Sequence, residues 1–251
     1  YSTDANPWRR GLVAGPRGIS EGGDWDNDGV RDVVFGLEGE SRQIIALSGQ
    51  SGEQIWMFDT HGLPGGGGDI IVTLGKKDYN EDGYRDVLSA IVDGGDNNTT
   101  KGVLLLDGLD GSIIWRYPTD VAPLDMFSLD DFTGDGINDV IVVLTDGTII
   151  GLDGERGRLT WTSEIDGRIV DITTTRGDTN NDGSMDLCIV TYGKVTMING
   201  SNGIELWTSD HYNDLSHVIA LNDVNGNGSP DIVYTDDSVA RAIDGLTGEA
   251  A

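Results

Sequence analysis

Hydrophobic positions in this chain come in short runs, cut apart by polar, glycine-rich stretches. Five β-branched runs stand out: Val33–Phe35, Val87–Val92, Val140–Leu144, Leu187–Val190 and Ile232–Tyr234. Such runs, bounded by Gly, Asn, Asp and Ser, predict strands. Each leads through a turn to a second aliphatic run. An Asp-Gly or Ser-Gly pair then turns the chain into a Trp-bearing strand. A further short strand follows (Ile70–Leu74, Asp125–Leu129, Val170–Thr174, His217–Leu221). No window holds a helical period of adequate length.

The pattern repeats. Five acidic segments begin at Asp24, Asp78, Asp131, Asp178 and Asp223, spaced 54, 53, 47 and 45 residues apart. After each comes a second motif. It reads Ile45-Ala-Leu-Ser-Gly-Gln-Ser-Gly-Glu-Gln-Ile-Trp56 in the first copy, with later copies ending at Trp115, Trp161 and Trp207. A glycine (Gly49, Gly108, Gly154, Gly200) stands seven residues before each Trp, and the fifth copy carries Gly245. Trp8 stands 16 residues before Asp24, in the same phase as the later tryptophans. The chain therefore reads either as a closed set of five units or as an excerpt of a longer array, with Tyr1 opening a mature form or a fragment. Four strands per repeat at this period predict an all-β fold. The expectation is one β-propeller domain over 1–251, of about five four-stranded blades, with units near 9–56, 57–115, 116–161, 162–207 and 208–251. Each Trp is expected to pack between neighbouring blades. The extra length at Gly62–Gly68 and Asp93–Thr100 is expected to form exposed loops.

Composition narrows the function. Forty-three acidic and 16 basic residues give a formal charge of −27. Nothing here would release counterions from nucleic acid, so nucleic-acid binding is not expected, nor is attraction to anionic membranes. The longest aliphatic run, Val140–Leu144, is far short of the ~20 apolar residues of a membrane helix, so no insertion is expected. The lone Cys188 excludes an intrachain disulfide framework and a multi-thiolate zinc site; it reads as a small buried hydrophobe.

The acidic segments have the grammar of a hard-cation loop. Asp24-Trp-Asp-Asn-Asp-Gly-Val-Arg-Asp32 places oxygen-bearing side chains two apart, so that alternate residues of a tight loop point at one centre. Position six is glycine in all five copies (Gly29, Gly83, Gly136, Gly183, Gly228), as a sharp turn requires. Position seven varies (Val30, Tyr84, Ile137, Ser184, Ser229), as expected if it offers only its backbone carbonyl. Position nine is always Asp. An EF-hand would need Glu at position twelve, where Phe35, Ser89, Val142, Ile189 and Tyr234 stand instead. The loops are therefore read as β-embedded calcium sites.

These segments resemble the FG-GAP, or integrin-α-type, propeller repeat, whose Asp-x-Asp-x-Asp-Gly-x-x-Asp loop binds calcium. Asp32-Val-Val-Phe-Gly36 is similar to the strand after that loop. Ala46–Trp56 and its copies resemble the quinoprotein (PQQ-like) propeller repeat. The resemblance implies up to five Ca2+, with side-chain ligands at positions one, three, five and nine. These are Asp24, Asp26, Asp28 and Asp32; Asp78, Asn80, Asp82 and Asp86; Asp131, Thr133, Asp135 and Asp139; Asp178, Asn180, Asp182 and Asp186; and Asp223, Asn225, Asn227 and Asp231. Carboxylates among them fall from four in the first loop to two in the last, so the first is expected to bind tightest. Such loops fill at extracellular rather than cytosolic calcium, which places the protein outside the cell or on its surface. The sequons at Asn97, Asn98 and Asn199 agree with that location.

No catalytic residues are assigned. His61, His211 and His217 lack a partner motif; His61 is expected to be solvated and His217 structural. The expectation is a non-catalytic domain for adhesion, recognition or assembly, with a protein or glycan ligand. A quinoprotein-like dehydrogenase domain and an accessory domain of a polysaccharide-active enzyme are the alternatives.

Overall fold

The computed structural model describes residues 16–38, 41–64, 68–74, 77–92, 101–210, 215–236 and 239–250. Trp8, Asn97, Asn98, His211, the insertion at 93–100 and residues 65–67 lie outside them.

The described strands form five antiparallel sheets, each following chain order. The first holds β1 (Pro16–Glu21), β2 (Val33–Leu37), β3 (Gln43–Leu47) and β4 (Gln54–Asp59). A single 3-10 turn, Thr60–Gly62, follows it. The second sheet holds β5 (Ile70–Leu74), β6 (Val87–Ile91), β7 (Lys101–Leu106) and β8 (Ile113–Thr119). The third holds β9 (Pro123–Ser128), β10 (Val140–Leu144), β11 (Thr148–Leu152) and β12 (Leu159–Glu164). The fourth holds β13 (Ile169–Thr174), β14 (Leu187–Thr191), β15 (Lys194–Ile198) and β16 (Glu205–Asp210). The fifth has three strands among the described residues: β17 (Leu215–Ala220), β18 (Ile232–Asp236) and β19 (Val239–Ile243).

The chain divides into two compact units. One comprises Tyr1–Met126 with Glu155–Gly157, the other Phe127–Gly154 with Arg158–Ala251. In the first unit, Val34, Ile44 and Trp56 of one sheet pack with Ile70, Val87 and Leu104 of the next. In the second, Ile141 and Ile149 pack with Leu187 and Ile198, while Val190 and Met197 pack with Val218 and Tyr234.

Strand character explains these cores. Every residue of β6, β10 and β14 is buried, so these strands have no solvent-facing side and read as largely apolar runs, broken only by Ser89 in β6 and Thr191 at the end of β14. The Trp-bearing strands alternate instead, as in the exposed and half-buried positions of β12. In four sheets the Trp stands opposite one fixed position of the third strand: Ala46, Leu105, Gly151 and Met197 face Trp56, Trp115, Trp161 and Trp207. The register slips by one residue just beyond each pair. This recurrent bulge lies next to the turn that carries the second motif's glycines.

Candidate metal centre

Each acidic segment forms the connection between the first and second strands of its sheet. Its first carboxylate folds the loop around itself. In loop 1 the amides of Asp28 and Gly29 donate to Asp24 Oδ1 and Oδ2, both at 3.0 Å, and the Val30 amide donates to Asp28 Oδ1 at 2.7 Å. The same bonds to positions one and five recur in loop 2 on Asp78 and Asp82 and in loop 3 on Asp131 and Asp135. Loop 5 repeats them on Asp223 and Asn227; in loop 4, Gly183 and Ser184 donate to Asp178 and Asp182. Position six has φ between +88° and +98° in all five copies. Position four is left-handed as well: Asn27, Glu81, Gly134, Asn181 and Gly226 have φ from +58° to +82°. That second reversal escaped the sequence reading. Its signal was the Asn or Gly at four of the five positions, the residues that enter this region most readily.

In loop 1 this backbone brings three carboxylates together. One oxygen from each of Asp24, Asp26 and Asp28 lies within 4.8 Å of the others. Among the described residues this is the one group of three or more acidic, His or Cys side chains so placed. The donor set, all hard oxygens on an exposed loop, fits a calcium-type cation.

Position nine does something different. Asp32, Asp86, Asp139, Asp186 and Asp231 are fully buried, and Asp32 stands outside the loop 1 carboxylate group. Each uses one oxygen on its own loop and the other on the second motif. Asp32 accepts the Trp25 amide (2.5 Å) and the Gly49 amide (2.9 Å). Asp86 accepts those of Tyr79 (2.7 Å) and Gly108 (3.1 Å), and Asp139 those of Phe132 (2.7 Å) and Gly154 (2.9 Å). Asp186 joins Thr179 to Gly200, and Asp231 joins Val224 to Gly245. Burial pushes the Asp86 carboxyl up to about 7, and raises Asp32, Asp139 and Asp186 in the same direction. At position one of loop 5 the balance reverses: the Gly228 amide, ahead of any other influence, holds Asp223 below its usual range.

The second motif carries the link onward. The Gly108 carbonyl accepts the Trp56 indole N–H of the preceding sheet at 2.7 Å, and Gly245 accepts that of Trp207 at 2.8 Å. Gly111, Gly157, Gly203 and Gly248 lie under the rings of Trp56, Trp115, Trp161 and Trp207. The tryptophans thus pack against the turn of the following repeat. Trp161 alone of these leaves its indole N–H buried without an acceptor among the described residues. Its ring lies over Gly151 and 6.2 Å from Phe132.

Residues 3–224 match the family PQQ_2, described as outer membrane protein assembly factor BamB. The chain belongs to this family. A comparison with curated proteins gives no match. Among solved structures it is similar to BamB from Moraxella catarrhalis, with TM-score 0.54 and 19% identity over 94% of this chain and 63% of that one. It is also similar to Sqt1 from Saccharomyces cerevisiae, with TM-score 0.63 and 15% identity over 90% of this chain and 59% of that one. Third is the Vibrio cholerae biofilm matrix protein Bap1, with TM-score 0.59 and 17% identity over 100% of this chain and 40% of that one. This chain thus spans less than two thirds of the length of each. At these identities the likeness shows the fold: an all-β chain of the propeller type, its sheets serving as blades.

Within this BamB-family chain, one set of site residues escaped the sequence reading. The residue before the second motif's first glycine is Ser48, Asp107, Asp153, Asn199 or Asp244, polar in every copy. Four of them reach the acidic loop. Ser48 Oγ donates to Asp28 at 3.4 Å, and Asn80 donates to Asp107 at 3.1 Å. Asn199 donates to Asp182 at 2.6 Å, and Asn225 donates to Asp244 at 2.7 Å. In loop 5 the Asn227 amide donates to the same Asp244 carboxylate, so the two amides close on an internal anion.

Two expectations need correction. Asn199 is only 6% exposed and its amide is committed to Asp182, so it is no glycosylation acceptor. His217 is not structural in the sense of burial: its side chain is 80% exposed, 3.5 Å from Asp171. His61 is exposed as expected, with its ring Nδ1 2.6 Å from Asp59. Cys188 is fully buried, and burial raises its thiol far above the usual range. Among the described residues no helix is long and apolar enough to cross a membrane.

Proposed function

We propose that this chain is a non-catalytic, calcium-stabilised propeller segment that acts outside the cell, presenting its loops to a protein or glycan partner. The observation that carries the reading is the convergence of Asp24, Asp26 and Asp28 in one loop whose backbone course recurs in four others. These three side chains would hold the ion in loop 1, with the Val30 carbonyl as an FG-GAP-type fourth donor and Asp32 anchoring the loop. Calcium here supplies charge neutralisation and rigidity. The high net negative charge and a demand for millimolar calcium agree with an extracellular setting. Partner binding agrees with a neighbour such as BBS1N, solved in complex with ARL6DN.

Loop 1 is the tightest site of the five. Loop 5, where Asn225 and Asn227 already close on Asp244, is the weakest. With dissociation constants of roughly 10⁻⁴ to 10⁻³ M, millimolar calcium adds about 0.4–1.4 kcal/mol per occupied loop. Thermal melts and elemental analysis test this together. The expected result is bound calcium in the purified protein and a lower Tm in chelator. A protein that holds no alkaline-earth metal at millimolar supply, and melts identically with and without chelator, would refute it.

A further inference from the structure

Within the first unit, loops 1 and 2 enclose a cavity of about 540 Å3, a size typical of small-ligand clefts. Its walls include Asp24, Asn27, Arg31, Asp82, Tyr84 and Arg85. Two arginines on one cavity are conspicuous in a chain with only 16 basic residues and a charge of −27.

The walls are held in place before any ligand arrives. The Trp25 indole N–H donates to the Arg85 carbonyl at 2.8 Å, tying loop 2 to loop 1. The Asn27 amide donates to the Tyr84 hydroxyl at 2.7 Å, which leaves the phenolic O–H to donate elsewhere. Arg31 is paired with Glu21, whereas Arg85 makes no ion pair among the described residues. The two carboxylates are already engaged. Both oxygens of Asp24 take amides of its own loop, and Asp82 takes the Tyr84 amide and the Asn80 side chain. The groups with hydrogen-bonding capacity to spare are therefore a guanidinium, a phenol and a carboxamide. No aliphatic side chain stands among these walls.

That set recognises a carboxylate flanked by hydroxyl groups. We infer that the cavity binds a uronic-acid residue of an oligosaccharide. Arg85 takes the carboxylate, supported by Arg31, because a guanidinium presents parallel donors matched to two carboxylate oxygens. Tyr84 and Asn27 take ring hydroxyls. An acidic peptide fits less well, since its aliphatic portions would meet only polar walls. The inference goes beyond the cation reading, because the groups assigned to the sugar, the Tyr84 hydroxyl among them, are side-chain groups outside the cation's ligand set, to which Tyr84 would give only its backbone carbonyl.

The test is a titration of the whole chain with trigalacturonate at saturating calcium, followed by NMR chemical-shift changes. Neutral trigalactose, the methyl-esterified trisaccharide and an aspartate-rich peptide serve as comparators. The expected result is saturable binding of the uronate, at least tenfold weaker for the ester and the neutral sugar. Arg85→Gln, at an exposed side chain, and Tyr84→Phe should each weaken it, Arg85→Gln by tenfold or more, with unchanged circular dichroism. Equal binding of the neutral sugar, preference for the peptide, or no binding overturns the inference. Binding that survives Arg85→Gln but vanishes in chelator also overturns it, by assigning the sugar to the cation loops, and leaves the cation reading standing. Loss of calcium binding with retained, Arg85-dependent uronate binding does the reverse.

Discussion

Asp82→Asn and Asp86→Asn separate two roles that a shared loop pattern runs together. Asp82 is exposed and sits at position five, where Oδ1 accepts the Tyr84 amide. An asparagine oxygen accepts that amide equally well, so in chelator Asp82→Asn should change stability by less than ~0.5 kcal/mol. Its calcium affinity should fall, because one ligand charge is gone. Asp86 is fully buried and takes two amides, one on each oxygen. Asparagine retains one acceptor and turns an NH2 group toward the other amide. The loss is one hydrogen bond to a charged acceptor, about 1.5–3 kcal/mol, plus a buried N–H left unpaired. Against this stands relief from burying a charge, the same cost that pushes the Asp86 carboxyl up to about 7. We expect a net loss of about 1–3 kcal/mol without calcium, which for a chain of this size lowers Tm by about 2–12 °C. Thermal melts of the two variants and the parent, each with calcium and with chelator, give the answer. If both variants melt with the parent in chelator and differ only in the calcium increment, Asp86 is a ligand and not an anchor, and the reasoning fails.

Other outcomes follow from the same geometry. Gly111→Ala puts a Cβ 2.7 Å from Trp56 Cε3 at a residue with φ +76°, and should cost about 2–4 kcal/mol in urea unfolding. Trp207→Phe forfeits a hydrogen bond to Gly245 that Trp161→Phe has no counterpart for, so it should cost about 0.5–1.5 kcal/mol more in the same assay. Cys188, buried and with its thiol raised, should react with a thiol reagent only at the rate of unfolding, and immediate labelling of native protein would contradict its placement. Asp26→Asn should remove the tightest phase of a calcium titration, while Asn227→Ala should leave that phase intact.

The strands were legible because each residue type reports its own burial. Val140–Leu144 and Leu187–Val190 are unbroken apolar runs whose every residue is buried, and no alternation was needed to find them. The loops were legible because glycine at position six answers a backbone requirement that few other residues meet. What stayed hidden was long-range. Nothing local says that Asp86 points toward Gly108, 22 residues on, or that Asp107 meets the Asn80 side chain. Position nine is Asp in every copy, and both a ligand and a buried acceptor would preserve it. The difference lies in exposure, which spacing does not encode. The same limit misled the reading of His217: the strand that follows it is apolar, yet its own side chain faces outward from an alternating one.

The deepest consequence is a relay that begins at the loop and ends in the neighbouring sheet. In loop 2 the Tyr79 amide and the Gly108 amide share Asp86, and the same Gly108 receives the Trp56 indole through its carbonyl. Loop 5 repeats the chain of contacts from Val224 through Asp231 and Gly245 to Trp207, in the other unit. An ion that fixes the loop therefore narrows the positions open to Asp86 or Asp231, then to the glycine peptide, then to the indole. Stability gained at the rim is thereby conveyed to the packing of a preceding repeat. Calcium should accordingly sharpen the near-ultraviolet circular dichroism of the tryptophans, although none of the indole rings belongs to the ligand set. Gly108 tolerates no side chain, because a Cβ there would run into the Arg85 carbonyl. The relay's weak point is Asp86 itself. In Asp86→Asn calcium should still bind, through the exposed carboxylates of loop 2, but its effect on the Trp56 signal should shrink. A tryptophan response of parental size in that variant would show that loop and sheet communicate by some other route.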